Sequence, residues 1–256
     1  MKIATWNVNS LRVRLSQVLD WLAENPVDIL GLQETKLPDE GFPVDEFAEA
    51  GYLSLYSGQR TYNGVALLAR GHGQDVVTEL PGLNDPQRRV MAATYGDLRV
   101  LNLYVPNGQS VGSEKYEYKL AWLNTLHGFL KEELQRHDKL AVFGDFNIAP
   151  EPEDVHDPDA WEGRVLFSEP ERTALKRLLE LGLTDVFRKF DQAEKTYSWW
   201  DYRMLGFQRN RGLRIDLILT TDALTKRCVT SSIDKTPRKW KRPSDHAPVI
   251  AEFDEP

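Results

Sequence analysis

Apolar positions along the chain recur with two periods, and the switches between them mark the elements. Residues Lys2 to Trp6 alternate and stop at Asn7-Val8-Asn9-Ser10, which predicts a strand running into a loop. Leu11, Leu15, Val18, Leu19 and Leu22 then follow the 3.6-residue period of a helix, with Asn9 or Ser10 as N-cap and Asn25-Pro26 as its end. Val27 to Leu32 is a short apolar run of buried-strand type that ends in Gln33-Glu34-Thr35-Lys36. Four more strands are predicted at Tyr52–Tyr56, Gly64–Ala69, Val90–Tyr95 and Leu98–Tyr104, separated by turn residues such as Gly71, Gly73, Pro81-Gly82 and Gly96-Asp97. Leu120, Leu123, Leu126, Leu130 and Leu134 mark a second helix over Tyr116–Gln135, followed by the buried strand Leu140–Phe143 and the polar end Gly144-Asp145-Phe146-Asn147. Glu151–Pro158 is too acidic and proline-rich for an element, and Ala174, Leu175, Leu178 and Leu179 form the apolar face of a helix over Glu169–Leu181. Strands at Arg214–Thr220 and Val249–Phe253 close the chain. With no linker, low-complexity tract or fixed-period repeat, the pattern predicts one mixed α/β domain over residues 1–256.

The polar residues at the strand ends carry the candidate chemistry. They are Asn7, Glu34, Asp145 with Asn147, and Asp245 with His246, to which Asp216 adds a carboxylate inside the apolar run Leu213–Leu219. A charge in such a run needs a partner or a metal, because burying it alone is too unfavourable to persist. Pro243 and Pro248 fence Asp245 and His246 into a rigid corner. Taken singly, most of these residues read as capped turns or surface ion pairs; their conjunction predicts a site. Asn, Asp and Glu are hard oxygen donors, and without a cysteine cluster or an HExxH spacing they favour magnesium or manganese over zinc, and hence a phosphate substrate. Asp145 and Asn147, two residues apart in extended backbone, are expected to share a face and hold one water, the carboxylate accepting its proton and the amide aiming it. His246 is then placed to donate to a phosphate oxygen, with Asp216 or another carboxylate fixing its tautomer.

Charge alone announces no polyanion: 32 basic residues stand against 39 acidic ones, a net −7. Any polyanion would have to be gripped locally, and one stretch suits that. Thr196 to Met204 concentrates Tyr197, Trp199, Trp200 and Tyr202 beside Arg203; Arg209, Arg211 and Arg214 follow, and Arg238-Lys239-Trp240-Lys241-Arg242 precedes the corner. The single Cys228 forms no internal disulfide, and no apolar stretch follows Lys2 as a signal peptide would require. A reducing cytoplasm and no membrane span are expected.

Six ordered segments carry a resemblance that covers Met1 to Phe253: Trp6–Arg12, Leu32–Lys36, Tyr104–Gly108, Gly144–Pro150, Arg211–Asp216 and Ser244–Pro248. The chain resembles the endonuclease/exonuclease/phosphatase superfamily, and within it the exonuclease III type of apurinic/apyrimidinic endonuclease. The resemblance implies a four-layered α/β sandwich, two mixed β-sheets face to face with helices outside. It implies Asn7, Glu34 and Asp245 around Mg2+ (or Mn2+), Tyr104 against the scissile phosphate, Asp145 and Asn147 on the attacking water, and His246 on the phosphoryl oxygens with Asp216 behind it. It further implies that Asn107, Trp199, Arg203, Arg209, Arg211 and Leu213 meet the DNA, Trp199 and Leu213 walling a pocket for a flipped abasic sugar. The expected function is a DNA repair hydrolase that cuts 5′ to abasic sites by in-line water attack, with 3′-phosphodiesterase and 3′ to 5′ exonuclease action. Its partner would be double-stranded DNA with abasic sites or 3′ ends, and it would act as a monomer. Two alternatives compete: a cousin acting on inositol phosphates or sphingomyelin, which the aromatic-basic stretch disfavours, and a silent DNA-binding module, which the presence of every catalytic group disfavours.

Overall fold

Alternation along a strand sorts its side chains onto two faces, and in the central strands here both faces are covered. In the computed structural model, which describes residues 1–254, the chain runs β1 (Lys2–Asn7), α1 (Leu11–Glu24), β2 (Ile29–Gln33), α2 (Val44–Glu49), β3 (Leu53–Ser57), β4 (Val65–Ala69), β5 (Gln74–Val77), β6 (Val90–Tyr95) and β7 (Leu98–Tyr104). It continues through α3 (Glu114–Arg136), β8 (Lys139–Asp145), α4 (Pro158–Trp161), α5 (Glu169–Leu179), β9 (Leu183–Asp185), β10 (Trp199–Trp200), β11 (Gly212–Leu213), β12 (Asp216–Thr221), α6 (Asp222–Thr225), β13 (Cys228–Ile233) and β14 (Val249–Phe253). Two six-stranded sheets result, with orders β13-β14-β1-β2-β4-β3 and β5-β6-β7-β8-β12-β9. Each has one parallel pair at its centre, β1 with β2 and β7 with β8, and every other neighbour is antiparallel.

Three apolar layers separate four layers of structure. Ile3, Ile29, Leu67, Val100, Ala141, Phe143, Ile218 and Ala251 fill the space between the sheets. Ala4, Trp6, Leu30, Leu32 and Leu68 face outward from the first sheet onto Val18, Trp21, Leu22 and Phe47 of α1 and α2. Leu101, Leu103, Val142, Leu217 and Leu219 face outward from the second onto Leu123, Leu126, Leu130, Leu175 and Leu178 of α3 and α5. This is the expected sandwich.

The sheets approach closely at Gly31, where a Cβ would stand 2.5 Å from Phe143 Cε2 and 2.9 Å from Asn102 Cγ. Asn102 fastens this contact from the opposite sheet. Its Nδ2 donates to the carbonyls of Leu32 (2.9 Å) and Ala66 (2.8 Å), and its Oδ1 accepts from Gln33 Nε2 (2.5 Å), which also donates to Thr5 Oγ1 (2.8 Å). All of these side chains are buried, so the network sets the separation and register of the two sheets.

Several expectations need correction. Ser10 occupies the N-cap position of α1, but at φ +89° its hydroxyl makes no cap bond, and neither does Asn9 cap the helix. The α3 helix starts at Glu114, two residues early, because Ser113 caps it by accepting from the Tyr116 N–H. The strand predicted over Arg214–Thr220 starts two residues late, as β12 over Asp216–Thr221, and the separate two-residue strand β11 precedes it. Glu151–Pro158 is not featureless: it holds a 3-10 turn at Pro152–Asp154 and the first residue of α4. β5, β9 and β13, all at sheet edges, escaped the sequence reading, since such edge strands leave a largely polar or exposed signal.

Gly31→Ala tests the sheet contact. Its methyl has no room without moving Phe143 or Asn102, so unfolding in denaturant is expected to show a loss of about 1–3 kcal/mol, and a neutral result would contradict the described spacing.

Candidate active site

The inner faces of the two sheets are apolar along most of their length and polar at one end. On β1 the inward positions are Ile3, Thr5 and Asn7, and on β8 they are Ala141, Phe143 and Asp145. On β7, Val100 and Asn102 lead in the same phase to Tyr104, which lies opposite Asp145 in the parallel register. Asp216, the first residue of β12, is paired with Asp145 on the other side and is likewise inward, two residues from Ile218. The site is therefore the polar end of the inter-sheet layer, at the carboxyl ends of the central parallel strands, where open α/β sheets leave crevices.

Two residues reach it through left-handed backbone rather than regular strand geometry. Glu34 follows the inward Gln33 and would point away in extended backbone, but its φ of +51° turns the side chain back. Asn147 has φ +50°, so it meets Asp145 through a left-handed turn rather than along the extended backbone expected from the sequence. Such conformations cost non-glycine residues about 1 kcal/mol or more, and they persist where surrounding bonds enforce them. The bonds are present: Asp145 Oδ1 accepts from the Asn147 N–H (2.9 Å), and Asn147 Nδ2 donates to the Val105 carbonyl (3.0 Å) and to Asp145 Oδ2 (3.3 Å).

The centre is a seam of hydrogen bonds between the sheets. Asn7 Nδ2 donates to Glu34 Oε1 and to Asp145 Oδ2, both at 2.9 Å, while Asn7 Oδ1 accepts from the Asn9 N–H at 2.9 Å. Asn7 thus presents donors, not a ligand oxygen, to the two carboxylates. His246 Nδ1 lies 2.8 Å from Asp216 Oδ2, and its Nε2 lies 3.7 Å from Asp145 Oδ2. Asp216 is the direct partner of His246, a point the sequence left open. Glu34, Asp145 and His246 offer ligand atoms within 4.8 Å of one another. Asp245 stands to one side, its carboxylate accepting from Asn9 Nδ2 (2.9 Å) and Trp199 Nε1 (3.0 Å).

Burial and crowding shape the charges. Burial first, then the charge of Asp216, push the Asp145 carboxyl up to about 7, against the lowering influence of His246 and the Asn7 amide. Burial alone would lower His246, but the charges of Asp216 and Asp145 outweigh it and hold the imidazole up at about 10. Near neutral pH the ring is therefore a cationic donor beside a carboxyl poised to take a proton. Asp216 Oδ1 is buried without a hydrogen-bond partner among the described residues. Two hard carboxylate donors, Glu34 and Asp145, with no thiol beside them, fit a divalent cation of the magnesium type.

Ser244 locks the corner that presents His246: its Oγ donates to the Asn7 carbonyl (2.6 Å) and accepts from the His246 N–H (3.2 Å). Trp200 N–H donates to the Asp245 carbonyl (3.0 Å), tying β10 to the same corner. Trp199 is half-buried and packs over Leu213, its register partner on β11, beside Leu166 and Phe167. Leu213 is wholly buried behind it. Asn107 is exposed and donates from Nδ2 to Asn147 Oδ1 (3.2 Å). Arg203 is exposed and paired to Asp201 (2.6 Å), whereas exposed Arg209 and Arg211 have no side-chain partner among the described residues. Tyr104 stacks under Arg89, 4.6 Å from its ring centroid, and burial followed by the charges of Glu34 and Asp145 keeps its phenol protonated.

Two of the basic residues expected to grip DNA are structural instead. Arg214 is buried, its Nε 2.6 Å from Asp154 and its Nη1 2.7 Å from Asp185. Asp154 in turn is buried and also pairs with Arg188, so the acidic segment around it anchors β11. Arg238 is buried against the rings of Phe207, Trp200 and Tyr202 and donates to the Ser244 carbonyl. Sequence reasoning also passed over Asn9 and Lys36: Lys36 Nζ sits 2.8 Å from Glu34 and donates to Asn9 Oδ1 (2.6 Å). Their signal was position, immediately beside Asn7 and Glu34 at the same strand ends.

Comparison with known proteins agrees with this geometry. The model of the endonuclease/exonuclease/phosphatase family matches residues 4–246. Exodeoxyribonuclease III of Haemophilus influenzae is 37% identical, over 99% of this chain and 100% of its own. The structure of the 3′ phosphatase NExo from Neisseria, bound to a product DNA hairpin, superposes with a TM-score of 0.98 at 48% identity, and that of an AP endonuclease from Archaeoglobus fulgidus with 0.95 at 43%; both cover 100% of the two chains.

The raised imidazole has a measurable consequence in metal-free protein. A group whose folded pKa is raised binds its proton more tightly when folded, so its contribution is complete below its unfolded pKa and lost as pH rises through the folded value. For His246 that window runs from about 6.5 to about 10, and the raised Asp145 acts in the same direction below about 7. The stability difference between wild type and His246→Gln in chelator is expected to shrink steadily from pH 6 to pH 10. A difference that is constant or grows over that range would contradict the pairing of His246 with Asp216.

Proposed function

The chain belongs to the endonuclease/exonuclease/phosphatase family, and from that premise we propose a metal-dependent DNA repair hydrolase that cuts the phosphodiester 5′ to abasic sites and trims 3′ ends of duplex DNA. The observation that carries the reading is the inter-sheet cluster: a cationic His246 held by Asp216 faces Asp145, a carboxyl raised to about 7, beside the aimed amide of Asn147. Relatives named for exodeoxyribonuclease, AP endonuclease and 3′ phosphatase activity support the substrate class.

In this reading Asp145 accepts the proton of the attacking water and Asn147 Nδ2, 3.3 Å from Asp145 Oδ2, helps fix that water in line with phosphorus. His246 donates from Nε2 to a non-bridging phosphoryl oxygen, and Asp216 keeps Nδ1 protonated so that the ring stays in the donating state. Tyr104, kept neutral, donates its hydroxyl to the scissile phosphate. Mg2+ or Mn2+ would be held at Glu34, whose carboxylate Asn7 fastens, and when bound would supply positive charge to the phosphoryl group, leaving Asp145 free to act as the base. Asp245 instead fixes Trp199, whose face over Leu213 forms the wall for a sugar without a base. Asn107, Arg209 and Arg211 meet the DNA backbone from the rim, so an acidic protein binds a polyanion through a local patch. On this reading the protein acts as a monomer in the cytoplasm.

Three duplexes tested in parallel decide the reading: one with an internal abasic site, one with a 3′-phosphate at a nick, and one with a recessed 3′ end. With Mg2+ or Mn2+ all three are expected to be processed, with incision 5′ to the abasic site, and chelator is expected to abolish every product. A folded protein that leaves all three intact with either metal would overturn it, and the relative rates give the balance between incision and end processing.

A further inference from the structure

One ammonium group away from the carboxylate cluster is wholly buried. Lys119, on the apolar face of α3 between Tyr116 and Leu123, is 0% exposed and pairs with the equally buried Glu171 of α5 at 2.5 Å. Its Nζ also donates to two backbone carbonyls, that of Asn147 at 2.6 Å and that of Asn107 at 3.1 Å. Glu171 spends its oxygens similarly, accepting from the N–H groups of Leu166 (3.0 Å) and Ser168 (3.1 Å) and from Ser168 Oγ (2.5 Å). One ion pair therefore ties together three segments: the loop after β7, the turn after β8, and the stretch before α5 that packs beside Trp199 and Leu213.

Stability gives no reason for such a pair, because apolar residues of similar volume commonly replace a buried ion pair without loss. Geometry does. Asn147 is held at φ +50°, and the carbonyl that this turn points inward is the one Lys119 binds most closely. The side chains of the two residues whose carbonyls Lys119 holds are themselves bonded, Asn107 Nδ2 to Asn147 Oδ1.

We propose that Lys119 is a positioning residue for catalysis: clamped by Glu171, it fixes the backbone of Asn147 and Asn107 and so sets the angle at which the Asn147 amide meets the attacking water. This rests on the role given to Asn147 above. A misplacement of about 1 Å at such a site lowers rates by up to about 100-fold.

The test is a double-mutant cycle on kcat and KM with an abasic duplex and Mg2+, run where circular dichroism shows each protein folded. Lys119→Met is expected to lower kcat about tenfold or more with KM changed less than about threefold, and in an Asn147→Ala background to add less than about threefold. Arg99→Met serves as the control, because it breaks another buried pair (Arg99 to Glu133, 2.5 Å), one at the opposite end of β7 from Tyr104. It is expected to leave kcat within about twofold at equal loss of stability. Lys119→Met with kcat near wild type, a loss no larger than that of the control, or losses that multiply fully in the double variant would each overturn the inference. Asn147→Ala with unchanged kcat would instead overturn the role of Asn147, and the inference with it. Should Lys119→Met fail to fold, Glu171→Gln, which keeps the ammonium but weakens its clamp, takes its place with the same expected pattern.

Discussion

The bond from Asn7 to Asp145 joins two different sheets, and it forms only because those sheets stand at one particular separation. Gly31 permits that separation and the amide of Asn102, bonded to two carbonyls of the facing sheet, enforces it. A wider gap would leave Glu34 with one half of the site and Asp145, Tyr104 and Asp216 with the other. Core packing and active-site assembly are therefore one constraint, set by the same inward-facing positions a few residues apart on the same strands.

The chemistry follows from what the end of that layer must contain. Carboxylates from both sheets converge in a place that water reaches poorly, so their mutual repulsion and burial raise Asp145, and the imidazole between them is held cationic. A base and an acid arise side by side from their surroundings alone. The same surroundings favour a divalent cation, which relieves the excess of negative charge. The net charge of −7 is compatible with the proposed DNA binding, because charges more than about a Debye length from the proposed contact residues are largely screened.

Much of this was legible in the sequence, for identifiable reasons. Strands such as Val90–Tyr95 and Leu98–Tyr104 matched to the residue, since both faces are covered and the apolar run ends where the layer ends. Asp216 announced itself as a charge in an apolar run, and the proline-fenced corner at Asp245 and His246 lies where the ordered motifs put it. The reading failed where backbone handedness decides: Glu34 and Asn147 reach the site through left-handed residues that no periodicity foretells. It also failed where a charge serves burial. Arg214 and Arg238 looked like phosphate contacts because they sit in a basic, aromatic stretch, but each is consumed by partners distant in sequence. Lys119 was hidden for the opposite reason, as one lysine on a helix whose other lysines face water.

The central claim is that Asp145, raised by its neighbours across the seam, takes the proton of the attacking water. Single-turnover cleavage of an abasic duplex with Mg2+ by Asp145→Asn, with DNA affinity measured alongside, addresses it directly. Loss of a positioned base predicts a fall in rate of about 100-fold to 10,000-fold with DNA still bound. Cleavage by the folded variant within a few-fold of wild type would contradict it.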